Sequence, residues 1–338
     1  MIFTSRRVAT IIAGVSCLLI LWNSSVEAET KEKRVRLAYA GWGIGTAVAY
    51  VGVDSGLFKK YQVDVEEIFI QDALTGGIQS LTGVDFVLGF GDPLAIFQPI
   101  IKGADIVFVG SHVSMEQYGL GVSSNVSAVR DLKGKKIGVS ALGGRSDLVA
   151  RVILRRAGLD PVKDVEIVAA GVSPQRVLAL SQGLIQGAPL SPDVASQAKK
   201  LGIRILEVKD VPVITALLMT TRSFIKREEE AARRFVKAYV AAIHYYLTHR
   251  AESVAIMKKY VNVKDPGALE AMYEAFAAQL RPVPAPNGEA IQALVDAVSV
   301  ADQRAKTLKP QELFDLHFLE ELKAAGFIND LYSEKTSL

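Results

Sequence analysis

The chain has 338 residues and is 50% apolar, enough material for two hydrophobic cores. Its 39 Lys and Arg against 36 Asp and Glu leave a net charge of +3, a balance that gives no case for nucleic-acid binding, which needs a concentrated basic face. The one cysteine, Cys17, lies in an N-terminal apolar run. A chain trimmed of that run has no thiol, which excludes disulfides, thiolate metal sites and cysteine nucleophiles.

Arg6 and Arg7 precede the apolar run Val8 to Trp22, which is followed by Asn23-Ser24-Ser25 and Val26-Glu27-Ala28. A basic start, an apolar middle and a small-residue end predict a signal peptide over residues 1–28, cut after Ala28. The run is shorter than the roughly 20 residues of a membrane-spanning helix. A retained anchor is the alternative. Gly14 stands three positions before Cys17, where a lipoprotein signal wants a Leu-like residue.

Arg34 to Ala40 alternates like a strand and runs into Gly41-Trp42-Gly43-Ile44-Gly45, then an apolar helix from Ala47 to Ser55 closed by Gly56. These glycines are spaced G-x-G-x-G, which departs from the dinucleotide fingerprint. A second strand spans Val63 to Ile70, a short glycine-started helix Leu74 to Leu81, and a third strand Val84 to Phe90. After Gly91-Asp92-Pro93 come a helix from Leu94 to Ile101 and a strand from Ile106 to Gly110. Strand and helix at this spacing predict an α/β fold with a sheet covered on both faces.

The chain is organised around Asp131 to Ser146. A basic turn leads into a buried strand (Ile137 to Ser140), a glycine turn (Leu142, Gly143, Gly144), then a helix from Asp147 to Ala157. A strand that opens through glycines into a helix presents free amides and the positive end of the helix dipole, a natural seat for an anion. Arg145 stands where it can clamp that anion. Then come strand Val165 to Ala169, helix Pro174 to Gln182, the stretch Gly187 to Asp193, helix Val194 to Leu201 and strands Arg204 to Val208 and Val211 to Met219. From Glu228 onward the chain reads as helical, with Tyr239, Ile243, Tyr246 and Leu247 as a core stripe, and breaks at Asp265-Pro266-Gly267 and at Arg281 to Pro286.

The motifs DSGLFKKYQVDVE (Asp54 to Glu66), GGIQSLTGVDFVLG (Gly76 to Gly89), DLKGKKIGVS (Asp131 to Ser140) and LSPDVASQAKKLGIRIL (Leu190 to Leu206) occur in this order. Together they resemble the substrate-binding proteins of the nitrate, sulfonate and taurine ABC importers, including the SsuA/TauA-like and NMT1/THI5-like relatives. The resemblance spans Val35 to Phe327. It implies a type II periplasmic binding protein fold: two α/β lobes joined by two crossing strands, near Tyr118 to Val122 and Thr215 to Met219, with a helical C-terminal region. Lobe I would comprise residues 34–115 plus 216–330, and lobe II residues 116–215.

Carried onto this chain, the resemblance implies a cleft lined by Trp42 and Gly43, Gly76 and Gly77, Gly91 and Asp92, Leu142 to Ser146, and Ser191 with Asp193. Each has a plainer reading as well. Trp42 can be a packed hinge residue, Asp92 a helix N-cap, Arg145 a solvated arginine, Ser140 and Ser146 can satisfy local backbone, and Ser191 with Pro192 can end one element and start the next. An acid at Asp92 would repel a simple anion unless a cation such as Arg145 offsets it. That favours an organic solute over nitrate.

The expected function is capture of a small organic solute (sulfonate, carboxylate or pyrimidine-like) in the periplasm for an ABC permease and ATPase. The expected state is monomeric, with no cofactor, metal, nucleic-acid partner or catalytic set. His244 and His249 are five residues apart and His112 and His317 are isolated, so no metal spacing exists. A sensor built on the same fold is the alternative. Pyrimidine-synthase-like chemistry in related proteins rests on a cysteine-bearing motif that the trimmed chain lacks.

Overall fold

The computed structural model describes residues 33–39, 43–70, 83–90, 93–263, 265–286 and 288–333. Apolar residues alternate along β1 (Lys33–Tyr39): Val35, Leu37 and Tyr39 enter one core and Ala38 another on the opposite face. β1 lies parallel between β2 (Val63–Phe69) and β3 (Phe86–Phe90). β3 then pairs antiparallel with the end of β8 (Arg204–Thr220), through Ala216 to Met219.

β4 (Val107–Val122) and β8 are 16 and 17 residues long and pair antiparallel along most of their length. The end of β4, Gly119 to Val122, pairs with β7 (Gly187–Leu190), beyond which lie β5 (Lys136–Val139) and β6 (Glu166–Ala169). The strand order is β2-β1-β3-β8-β4-β7-β5-β6. The ribbon of β4 and β8 therefore joins two half-sheets. Its pairing slips repeatedly between Phe108 and Tyr118, the kind of irregularity that bends and twists a strand pair.

Each half-sheet has a core on both faces. The first is covered by Phe58, Phe235, Tyr239, Ile243 and Tyr246 on one side and by Phe97, Phe108, Leu294 and Val298 on the other. Leu247 packs at the margin of the former. The second half is covered by Leu148, Val152 and Ile153 on one side and by Leu180, Ile185 and Ala198 on the other. A Cβ on Gly119 of β4 would lie 2.5 Å from Ala195 Cβ, so the helix Pro192–Lys200 packs directly on the strand backbone. The helix Gly288–Ala301 touches both halves: Leu294 and Val298 enter the first core, Ala297 the second, and Asp296 Oδ2 meets Arg155 Nη1 at 2.9 Å.

Several elements differ from the sequence expectation. β4 runs on past Gly110, and the two strands expected on either side of Lys209-Asp210 are one. The antiparallel partner supplies hydrogen bonds where the apolar pattern lapses, and Asp210 accommodates the irregularity with φ +52°. Gly187 to Leu190, for which the sequence reading named no element, is a buried strand. The break expected at Asp265 does fall between two helices, Arg250–Tyr260 and Pro266–Ala277: Asp265 accepts a hydrogen bond from Ala268 N at 2.7 Å and Pro266 opens the second. The predicted signal peptide and the helix Leu74 to Leu81 lie outside the described residues.

Candidate functional site

The glycine turn joins β5 to the helix Arg145–Arg156. Gly143 takes φ +77°, a conformation that suits glycine, and its N–H donates to Asp147 Oδ2 at 2.7 Å. Asp147 is fully buried, and its other oxygen lies 2.8 Å from Arg151 Nε. That approach is not aligned as a hydrogen bond, so the pair is held by charge. Ser146 Oγ accepts from Ser140 N at 2.7 Å and lies 2.7 Å from Ser140 Oγ. The helix N-cap, Gly144, has no side chain to cap the first-turn amides.

Ser140, Arg145 and Ser146 face a cavity of about 670 Å³. The same half of the molecule adds Gln117, Tyr118, Val172, Ser173, Arg176 and Ser191 to its wall. The opposite wall comes from the end of the helix Pro266–Ala277 and the turn after it: Ala275, Ala278, Gln279 and Arg281. That helix is anchored in the first core by Leu269, Tyr273 and Phe276. Arg145 Nε donates to Tyr118 Oη at 3.0 Å. Among the described residues no Asp or Glu lines the cavity.

Arg176 is the unusual member of this set. It is 4% exposed, and its acceptors are Pro189 O at 3.0 Å, Ser173 Oγ at 2.8 Å and Gly171 O. All three are neutral. Burial pushes the guanidinium below its ordinary pKa, with Tyr118 acting in the opposite sense. An arginine remains charged through such a shift, so the charge is desolvated and has no acidic counterpart among the described residues.

Of the residues expected in the site, Arg145, Ser146 and Ser191 line this cavity. Gly43, Leu142, Gly143 and Gly144 are not part of its wall: Leu142 is half exposed, while Gly143 and Gly144 are buried beneath the turn. Trp42, Gly76, Gly77, Gly91 and Asp92, and the side chain of Asp193, lie outside the described residues. Sequence reading missed Tyr118, Arg176 and Arg281. Arg176 is an ordinary arginine in the first turns of a helix, and only Gly171 and Pro189, distant in sequence, make it a buried one. Among the described residues no cluster of three or more His, Cys, Asp or Glu can hold a metal, and no helix is long and apolar enough to cross a membrane.

Two α/β halves joined by a long two-stranded ribbon, with a solute-sized cavity walled by both, define the type II periplasmic binding protein fold. Solved structures of similar fold include the periplasmic aliphatic sulphonate binding protein SsuA from Escherichia coli. It shares 19% identity at a TM-score of 0.58, over 84% of this chain and 91% of that one. The periplasmic nitrate-binding protein NrtA from Synechocystis PCC 6803 shares 12% identity at a TM-score of 0.52, over 89% and 91%. The family profile described as NMT1/THI5 like matches residues 45–253, and the chain belongs to that family. It is also 23% identical to YtlA of Bacillus subtilis over 293 residues, 78% of this chain and 81% of that protein.

Proposed function

We propose that this protein is an exported solute-binding protein that closes two lobes over a small organic anion and delivers it to an ABC importer. The observation that carries this reading is the charge of the cavity: Arg145, Arg176 and Arg281 line it, and no carboxylate among the described residues does. Guanidinium groups offer fixed, paired N–H donors that match sulfonate and carboxylate oxygens. Lobe I, residues 34–115 plus 216–330, and lobe II, residues 116–215, would rotate about the β4–β8 ribbon, where the register slips lie. Family membership, and similarity in fold to proteins named for sulphonate and nitrate binding, support an anionic solute and a periplasmic setting. The closed, loaded monomer is the form offered to the permease and its ATPase.

The site is better equipped for holding than for reacting. Its polar groups are guanidinium, hydroxyl and amide donors. The acid beneath the glycine turn, Asp147, is committed to Gly143 and Arg151, so it is not poised as a general base. A thermal-shift screen against sulfonates, carboxylates, pyrimidines and inorganic anions tests the reading. A true solute at 100 times its dissociation constant adds about 2.7 kcal/mol of stability. One chemical class should raise the midpoint without being consumed. Turnover of the compound, or stabilisation by neutral pyrimidines alone, would overturn the proposal.

A further inference from the structure

The two arginines least accounted for by the fold stand on opposite walls of the cavity. Arg176 belongs to the helix Ser173–Ser181 of one half, and Arg281 follows the helix Pro266–Ala277 of the other. A guanidinium carries five N–H donors. Four hydrogen bonds leave Arg176, one from Nε, two from Nη2 and one from Nη1, so one Nη1 hydrogen has no acceptor among the described residues. None of the acceptors is charged. Arg281 is exposed at the opposite wall and has no hydrogen bond or ion pair among the described residues. The lining also includes the apolar or small residues Val172, Ala275 and Ala278.

A desolvated cation without a counter-ion is costly in a finished structure and favourable in a site that awaits an anion. A single acidic group answers one of the two arginines and leaves the other facing solvent or the low-dielectric cleft. From this arrangement we infer that the solute is a dianion, with two acidic groups separated by a short carbon chain or ring. One group lies towards Arg176 and the serines Ser173 and Ser191, the other towards Arg281 and Gln279. The inference rests on the solute-binding reading above and narrows its substrate class from organic anions in general to two-headed ones, such as dicarboxylates and sulfocarboxylates.

Isothermal titration calorimetry at constant ionic strength tests it with pairs that share a skeleton but differ in charge. Suitable pairs are succinate with butyrate, 3-sulfopropanoate with propane-1-sulfonate, and phthalate with benzoate. For at least one pair the dianion should bind about tenfold tighter or more, the scale of one additional charge-assisted contact. Arg281→Gln, on the exposed wall, should lower that ratio several-fold, and an unchanged melting midpoint of the unliganded variant would show that the fold is intact. Equal binding of both members in every pair that binds overturns the dianion inference and leaves the solute-binding reading standing. The dianion inference falls in the same way if Arg281→Gln weakens both members alike. Failure of every compound of either charge to bind overturns both.

Discussion

Asp147 and Arg151 stand one helical turn apart with charged atoms at 2.8 Å, and both side chains are buried. The same carboxylate holds the Gly143 N–H at 2.7 Å. The pair thus underlies the turn that carries Arg145 and Ser146 into the cavity. Its stability value lies in not being broken, because taking one partner away strands the other charge in a low-dielectric interior.

Arg151→Met keeps most of the side-chain volume and removes the countercharge. The expected cost is about 3–5 kcal/mol, the range for an unpartnered buried charge. Urea unfolding of parent and variant measures it. The double variant Asp147→Asn with Arg151→Met should recover part of the loss, since neither charge is then left alone. A single variant as stable as the parent would show that solvent reaches Asp147 and that the pair is not what fixes the turn.

Gly143→Ala places a side chain at φ +77°, and the left-handed region costs an L-residue roughly 1–2 kcal/mol. Gly134, in the basic turn before β5, has φ +72° and open space around its Cβ position, so Gly134→Ala carries similar strain away from the cavity. Both variants should lose stability in urea. Only Gly143→Ala should also weaken solute binding in calorimetry, because relaxing its strain moves Arg145 and Ser146. Equal affinity in the two variants would separate the turn from the site.

Much of the fold was legible because the local signals agree with each other. The alternation of β1, the apolar stretch of β3, the strand–turn–helix from Lys136 to Arg156 and the stripe of Tyr239, Ile243 and Tyr246 all carry their own periodicity. The long ribbon does not. Its continuity depends on pairing between residues far apart in the chain, such as Tyr118 with Val208, and a window of a few residues contains no trace of that. The site divided in the same way. Arg145, Ser146 and Ser191 stand at strand ends or helix starts, where ligands are ordinarily sought. Arg176 becomes conspicuous only when Gly171 O and Pro189 O are brought to it, and Arg281 only when its turn is set against the same cavity as Arg176.

Arg145→Gln removes the charge and keeps a donor amide. Tyr118 Oη then loses a donor at 3.0 Å, but both groups lie at the cavity wall, where water replaces the contact. Stability should change by less than about 1 kcal/mol. Affinity for an anionic solute should fall by about 1.5–3 kcal/mol, the range of a charge-assisted hydrogen bond. The comparison is calorimetric, with chemical unfolding as the control. Full affinity in the variant would reduce Arg145 to a surface contact of Tyr118.

Asp131, in the turn ahead of β5, accepts from Ser127 N at 2.9 Å and Ala128 N at 2.8 Å. These amides, Ala128 first, hold its carboxyl below the usual aspartate range. The folded value is the lower one, so the unfolded chain binds the proton more readily. The contribution is therefore complete above the ordinary aspartate value of about 3.9 and disappears as pH falls through the depressed folded value. Asp131→Asn retains an acceptor oxygen and cannot titrate. The gap in urea midpoint between parent and variant should be widest near neutrality and should close as pH is lowered below about 4. A gap that stays constant into strong acid would mean that the turn is held by the shape of the side chain and owes nothing to its charge.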